Sequence, residues 1–213
     1  MDNWAIKRIC GFASGSSSIP FRLYPGEPTK ACPIDGFEAY GKRNFDYLKQ
    51  TIEALRGRYE WMRRPYDKEV GVYACRSLNF GPQTATFPHY DVANLSHSWC
   101  SITALGNFNA QEGGHLVLWD LGIYADFPAG STVLIPSSVM CHSNTPIKSH
   151  EHRESIVQYT AGGLFRWVEN GFMSNKAWEA KATEEERTER KRQQSQRWEK
   201  GCRMFMKIEE LAP

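Results

Sequence analysis

Paired cysteines, long apolar runs and a strong charge imbalance are all missing from this chain. The six cysteines, Cys10, Cys32, Cys75, Cys100, Cys141 and Cys202, are scattered and form no C-x-x-C pair. That argues against a disulfide framework and a structural zinc site, and it fits a reducing, intracellular compartment. No apolar segment approaches the roughly 20 residues needed to cross a bilayer, so no membrane partner is expected. Met1-Asp2-Asn3-Trp4 has neither the basic run nor the apolar stretch of a secretory leader. A net charge of +2 is too small in itself to imply a nucleic-acid partner. No internal repeat is visible. Aromatic residues are plentiful: 13% of the 213 residues are Phe, Trp or Tyr, which suits a β-rich core or a site that stacks planar ligands. This length accommodates one domain with a substantial core and hardly a second catalytic unit.

Residues 1–42, rich in Gly, Ser and Pro, read as an irregular lead-in with one short strand at Ala5 to Ile9. A helix follows over residues 43–64. Within it Phe45, Leu48, Ile52 and Leu55 recur at spacings of three and four and form one apolar face, with Asn44 as its N-cap. Residues 70–172 change character. Short β-prone runs (Val72 to Phe80, Trp99 to Leu105, His115 to Trp119, Thr132 to Ile135, Ser155 to Tyr159) alternate with Gly/Pro turns such as Gly81-Pro82, Gly113-Gly114 and Pro128-Ala129-Gly130. That grammar predicts a mostly β sandwich or barrel with flanking helices. Residues 176–205 predict one charged, solvent-facing C-terminal helix with i,i+4 charge pairs.

The densest chemical clue is Pro88-His89-Tyr90-Asp91. Residues two apart on a strand point to one side, so His89 and Asp91 converge while Tyr90 faces away. One imidazole and one carboxylate make two thirds of the two-His-one-carboxylate set, which leaves three adjacent metal positions open and marks non-haem Fe(II) oxygenases. H-x-D alone arises often by chance. Here a later histidine, His142, follows the β run Thr132-Val133-Leu134-Ile135, and Arg153-Glu154-Ser155 comes eleven residues after it. Arg153 and Ser155 share a strand face, where a guanidinium can grip a carboxylate bidentately and a hydroxyl can add a hydrogen bond. The distal carboxylate of 2-oxoglutarate is one such partner; surface pairing of Arg153 with Glu151 or Glu154 is the alternative. The order of H-x-D, His and Arg-x-Ser favours the oxygenase. His97, His115, His150 and His152 are expected to be non-ligands, and Cys141 a small buried residue pointing away from the metal.

Four stretches make a resemblance specific: His89-Tyr90-Asp91-Val92-Ala93-Asn94, Gly113-Gly114-His115-Leu116-Val117-Leu118-Trp119-Asp120, Pro128-Ala129-Gly130-Ser131 and His142-Ser143-Asn144. Together they resemble the TET/JBP dioxygenases, particularly the forms expanded in mushroom-type fungi, which often end like Gln158-Tyr159-Thr160-Ala161-Gly162-Gly163-Leu164-Phe165-Arg166-Trp167. The similarity covers about Val72 to Phe172. It implies a double-stranded β-helix (jelly roll) and an enzyme that oxidises methyl groups on DNA bases, 5-methylcytosine or N6-methyladenine, using Fe(II), 2-oxoglutarate and O2. By resemblance His89, Asp91 and His142 are the iron ligands and Arg153 the 2-oxoglutarate anchor, with Ser155 and, on the preceding strand, Asn79 beside the co-substrate. Asn94 falls where the TET branch contacts a flipped base; an Asx turn is its other reading. Arg56, Arg58, Arg63 and Arg64, interleaved with Tyr59 and Trp61, form a candidate phosphate-contacting patch, and Lys191, Arg192, Arg197, Lys200 and Arg203 a second; solvated helix faces are the alternative for both. A monomer acting on methylated DNA in the nucleus is the implied setting. A dioxygenase of protein side chains or metabolites, and a cupin-like module holding metal without turnover, are the competing classes.

Overall fold

The computed structural model describes residues 7–9, 34–62 and 72–210. Strand β1 (Lys7–Ile9) precedes helix α1 (Ile34–Arg58) and strands β2 (Cys75–Asn79), β3 (Cys100–Asn107), β4 (Leu116–Leu118), β5 (Ile123–Ala125), β6 (Thr132–Ile135), β7 (His142–Asn144) and β8 (His152–Tyr159). Helices α2 (Gly162–Glu169), α3 (Asn175–Lys181), α4 (Glu184–Ser195) and α5 (Arg197–Met204) follow.

One sheet has the order β2-β8-β3-β6 with antiparallel neighbours throughout; the other runs β1-β5-β4-β7. From β3 onward the chain alternates between sheets: β4 and β5 in the second, β6 in the first, β7 in the second, β8 in the first. Two four-stranded sheets wound in this way make a double-stranded β-helix, the jelly roll expected from the sequence, with helices at its flank.

The core has two compartments divided by the first sheet. Cys100, Ile102 and Ala104 of β3, Leu116 and Leu118 of β4, Phe127, and Val133 and Ile135 of β6 fill the space between the sheets. On the other face Leu134, Tyr73 and Trp99 pack with Phe37, Phe45 and Leu48 of α1 and Phe165 of α2. β6 is therefore buried on both faces, which explains why Thr132-Val133-Leu134-Ile135 is apolar without alternation. The predicted apolar face of α1 is confirmed: Phe45, Leu48, Ile52 and Leu55 are all buried.

Several expectations need correction. The lead-in is not irregular to residue 42, because α1 starts at Ile34 and ends at Arg58 rather than near residue 64. Asn44 lies within α1 and is no N-cap: fully buried, it donates to the Met204 carbonyl (3.1 Å) and meets His97 Nδ1 at 3.0 Å, tying α1 to the C-terminal segment. A bend at Gly41 falls where an added Cβ would stand 2.8 Å from the Phe37 ring. Residues 162–169, read as a continuation of the β pattern, are helical because they must lay Phe165 against Tyr47 of α1, ring centroids 4.7 Å apart.

The single C-terminal helix is three helices. Ser174 caps α3, and Thr183 with Glu186 forms a capping box that starts α4 afresh. Their charges pair at i,i+3 (Arg187 with Glu184, Arg192 with Glu189), at i,i+4 (Arg203 with Glu199), and between α3 and α4, where Arg187 and Arg190 face Glu179. Strands β5 and β7, each three residues long, were not anticipated.

Candidate metal centre and anion site

The H-x-D segment joins the second sheet beside β7. His89 and His142 exchange both backbone hydrogen bonds, at 3.1 and 3.0 Å, so they stand directly opposite each other with side chains on one face. Asp91 lies two residues on, its N–H donating to the Ser137 carbonyl at 3.0 Å. One ligand atom from each of His89, Asp91 and His142 falls within a 4.8 Å cluster, the only such group of three His, Cys, Asp or Glu side chains among the described residues. His89 Nε2 is 3.7 Å from Asp91 Oδ1, and His142 Nε2 is 3.9 Å from Asp91 Oδ2.

The imidazoles are oriented for metal. His89 Nδ1 lies 2.8 Å from the Phe87 carbonyl oxygen and His142 Nδ1 lies 2.9 Å from that of Met140. A carbonyl only accepts, so each Nδ1 carries the proton and each Nε2 lone pair is left for a cation. Burial pushes the His142 pKa below the ordinary imidazole value, which favours the neutral, ligating form. Asp120, which the sequence reading passed over, braces the pair from outside: it accepts from Tyr90 Oη at 3.1 Å and from the Cys141 N–H at 2.6 Å. Its only advance sign was its place at the end of the Gly113–Asp120 motif.

Arg153 is the largest side chain with essentially no exposure among the described residues. It is not a surface arginine paired to Glu151 or Glu154. Glu151 accepts from the backbone of Asn109 and Lys148, and Glu154 lies 3.5 Å from His152. One guanidinium nitrogen, Nη1, donates to the Thr84 carbonyl at 2.9 Å, while Nε and Nη2 are buried without a partner. Burial alone pulls its pKa down to about 10. Ser155 is buried two residues along the same face, and Asn79, directly opposite it on β2, donates to its Oγ at 3.0 Å. Gly106, opposite Arg153 on β3, has φ +116°, and an added Cβ would overlap the His152 carbonyl oxygen.

The remaining candidates distribute as follows. Asn94 turns its amide to Asp91 Oδ2 (3.3 Å) and Ser137 Oγ (3.2 Å). His115 is buried against Thr145 and Tyr124, and the partly buried His97 contacts Asn44. His152 is exposed on the opposite face to Arg153, and Cys141 is partly exposed rather than buried. Arg63 and Arg64 lie outside the described residues. Of their proposed neighbours, Arg58 lies over the Tyr59 ring at 5.7 Å and Trp61 is 78% exposed. In the second basic patch Arg192 and Arg203 are taken up by Glu189 and Glu199. A cavity of about 550 Å³ runs along Ala85–Pro88, Val117–Trp119 and Ser143–Pro146, bordering the ligands in sequence but lined by none of them.

No protein-family model and no curated protein matches the chain. Partial overlaps occur with solved structures. The first, NgTET1 in complex with 5mC DNA, has a TM-score of 0.38 at 16% identity over 60% of this chain and 52% of that one, so the match spans about half of its length. A viral collagen prolyl hydroxylase from Paramecium bursaria Chlorella virus-1, in a 2OG complex, gives 0.33 at 12% identity over 66% of this chain and 96% of that one. A 2OG-Fe(II) oxygenase family oxidoreductase from Burkholderia pseudomallei gives 0.34 at 18% identity over 52% and 56%. Overlaps this partial assign neither a substrate nor a family.

Proposed function

We propose that this chain is an Fe(II)- and 2-oxoglutarate-dependent dioxygenase that oxidises methyl groups on DNA bases, acting as a monomer in the nucleus. The observation that carries the dioxygenase reading is Arg153: a fully buried guanidinium with two unmatched N–H donors, in the same jelly roll as a His-Asp-His cluster. A buried unpaired cation is costly unless an anion completes it. The five-carbon dicarboxylate fits both needs. Its distal carboxylate would take the two open donors of Arg153 with Ser155 alongside, and its 2-oxo acid end would reach the metal.

Fe(II) on the three side chains would supply oxygen activation coupled to decarboxylation of 2-oxoglutarate to succinate. The chain's own part is positional. His89 and His142 are aimed by the Phe87 and Met140 carbonyls, Asp91 is oriented by Asn94, and Arg153 would fix one end of the co-substrate. A base within a duplex cannot reach such a centre, so the substrate is an extruded base. Phe87 and Tyr90, which flank His89, are 91% and 44% exposed and offer planar faces beside the metal ligands. The assignment to a methylated base rests on the TET/JBP-like motifs, and the exposed Arg58–Tyr59–Trp61 surface is the candidate contact for a phosphate backbone.

The test is incubation of Fe(II)-loaded protein with 2-oxoglutarate and 5-methylcytosine or N6-methyladenine oligonucleotides, single- and double-stranded, followed by nucleoside mass spectrometry and succinate assay. Oxidised nucleoside with matching succinate is expected, and His89→Ala, Asp91→Asn and His142→Ala should each abolish both. Succinate without oxidised nucleoside would redirect the substrate to a protein side chain or metabolite; full turnover by His142→Ala would move the third ligand to His150 or His152.

A further inference from the structure

We propose that Asn94 and Ser137 form a clamp that sets the Asp91 carboxylate for metal binding, an inference that rests on the metal centre proposed above. The amide of Asn94 has two hydrogens. One is directed at Asp91 Oδ2 at 3.3 Å and the other at Ser137 Oγ at 3.2 Å. A carboxylate only accepts, so the nitrogen and not the oxygen of Asn94 must face Asp91. Asp91 is held at a second point, its N–H on the Ser137 carbonyl at 3.0 Å, and the Asn94 N–H closes on the Asp91 carbonyl at 2.9 Å.

Ser137 is the fixed jaw. It is 1% exposed, its N–H donates to the Ile135 carbonyl at 2.9 Å, and Ile135 ends the doubly buried strand β6. Its hydroxyl also meets the Cys100 thiol, itself fully buried in β3. The carboxylate, whose side chain is 30% exposed, is therefore locked to the rigid sheet by one oxygen, while Oδ1 is turned toward His89. Outer hydrogen bonds of this kind fix the direction and basicity of a ligand, and their loss typically weakens metal affinity by about 10–100-fold. With both amide hydrogens committed, Asn94 has only its carbonyl oxygen left for a substrate. Any contact it makes to a base is then as an acceptor from a base N–H.

The experiment is titration of the metal-free protein with Co(II), followed by calorimetry and by the visible ligand-field bands, with the melting temperature of the metal-free protein recorded in parallel. Ser137→Ala, which removes only a hydroxyl, and Asn94→Ala should each weaken Co(II) binding by about 10–100-fold and alter the bands, with little change in metal-free melting. The double variant should lose little more than the worse single one, because the two residues act on Asp91 in series. Should Asn94→Ala unfold, Asn94→Leu carries the test: it keeps size, adds no charge and cannot donate to a carboxylate, and the same loss is expected. Affinity within twofold of wild type in both Ser137→Ala and the folded Asn94 variant overturns the clamp and leaves the metal centre standing. No Co(II) uptake by the wild type overturns the metal centre, and the clamp with it.

Discussion

Replacing Arg153 by methionine should separate stability from function in opposite directions. The native guanidinium is buried, has one backbone acceptor and leaves two donors open. Its pKa, drawn down to about 10 by burial, implies a cost of holding the charge in the folded protein of about 3 kcal/mol. Methionine keeps an unbranched apolar stem without the charge, so the metal-free, co-substrate-free protein should be as stable as wild type or more so by about 1–3 kcal/mol. Binding should show the reverse. Two charge-assisted hydrogen bonds to a carboxylate contribute about 1.5–3 kcal/mol each, so 2-oxoglutarate affinity should fall by roughly 10²–10⁴-fold. The assays are denaturant unfolding of the metal-free protein and calorimetric titration of the Co(II)-loaded protein with 2-oxoglutarate. A variant with unchanged 2-oxoglutarate affinity would refute the anion assignment. A variant that is strongly destabilised with no ligand present would show that Arg153 is a satisfied structural residue.

Two further outcomes are expected, one from the fold beside Arg153 and one from the basic patch read in the sequence. Gly106→Ala should cost about 1–3 kcal/mol from its positive φ, with more from overlap with the His152 carbonyl, and should weaken 2-oxoglutarate binding because that carbonyl belongs to the residue preceding Arg153. Normal co-substrate affinity in a folded Gly106→Ala protein would mean that β8 yields without moving Arg153. If DNA is the substrate, oligonucleotide binding should weaken steeply with salt, and Arg63→Ala with Arg64→Ala should flatten the log–log slope by about one unit per lost contact, equally for methylated and unmethylated DNA. An unchanged slope, measured by fluorescence anisotropy, would remove those two residues from the interface.

Much of the candidate metal centre was legible because it depends on strand periodicity. His89 and Asp91 share a face for the same reason that any residues two apart on a strand do, and His142 was found as the histidine following the apolar run that became β6. The apolar face of α1 was visible in its three- and four-residue spacing. Local rules misled where a tertiary contact outbid them. Asn44 has the chemistry of a cap, yet its amide is used between α1 and the C-terminal segment. Thr183 and Glu186 carried the capping box in plain view, but the uniform charge around them masked the break. β5 and β7 are three residues long, as are the strands β1 and β4 they pair with, so no period shows and only cross-strand pairing defines them.

Sequence by itself therefore determined which candidate residues share a face, since strand and helix periods act over a few residues. Only the tertiary structure decided what those residues meet. That Arg153 is buried with two donors unmatched, rather than paired with an adjacent glutamate, depends on Gly106, Thr84 and β8 converging from distant parts of the chain. That Asn94 holds Asp91 depends on Ser137 arriving at the end of β6. Hydrogen-bond satisfaction is a property of three-dimensional neighbours, and no spacing along a chain encodes it.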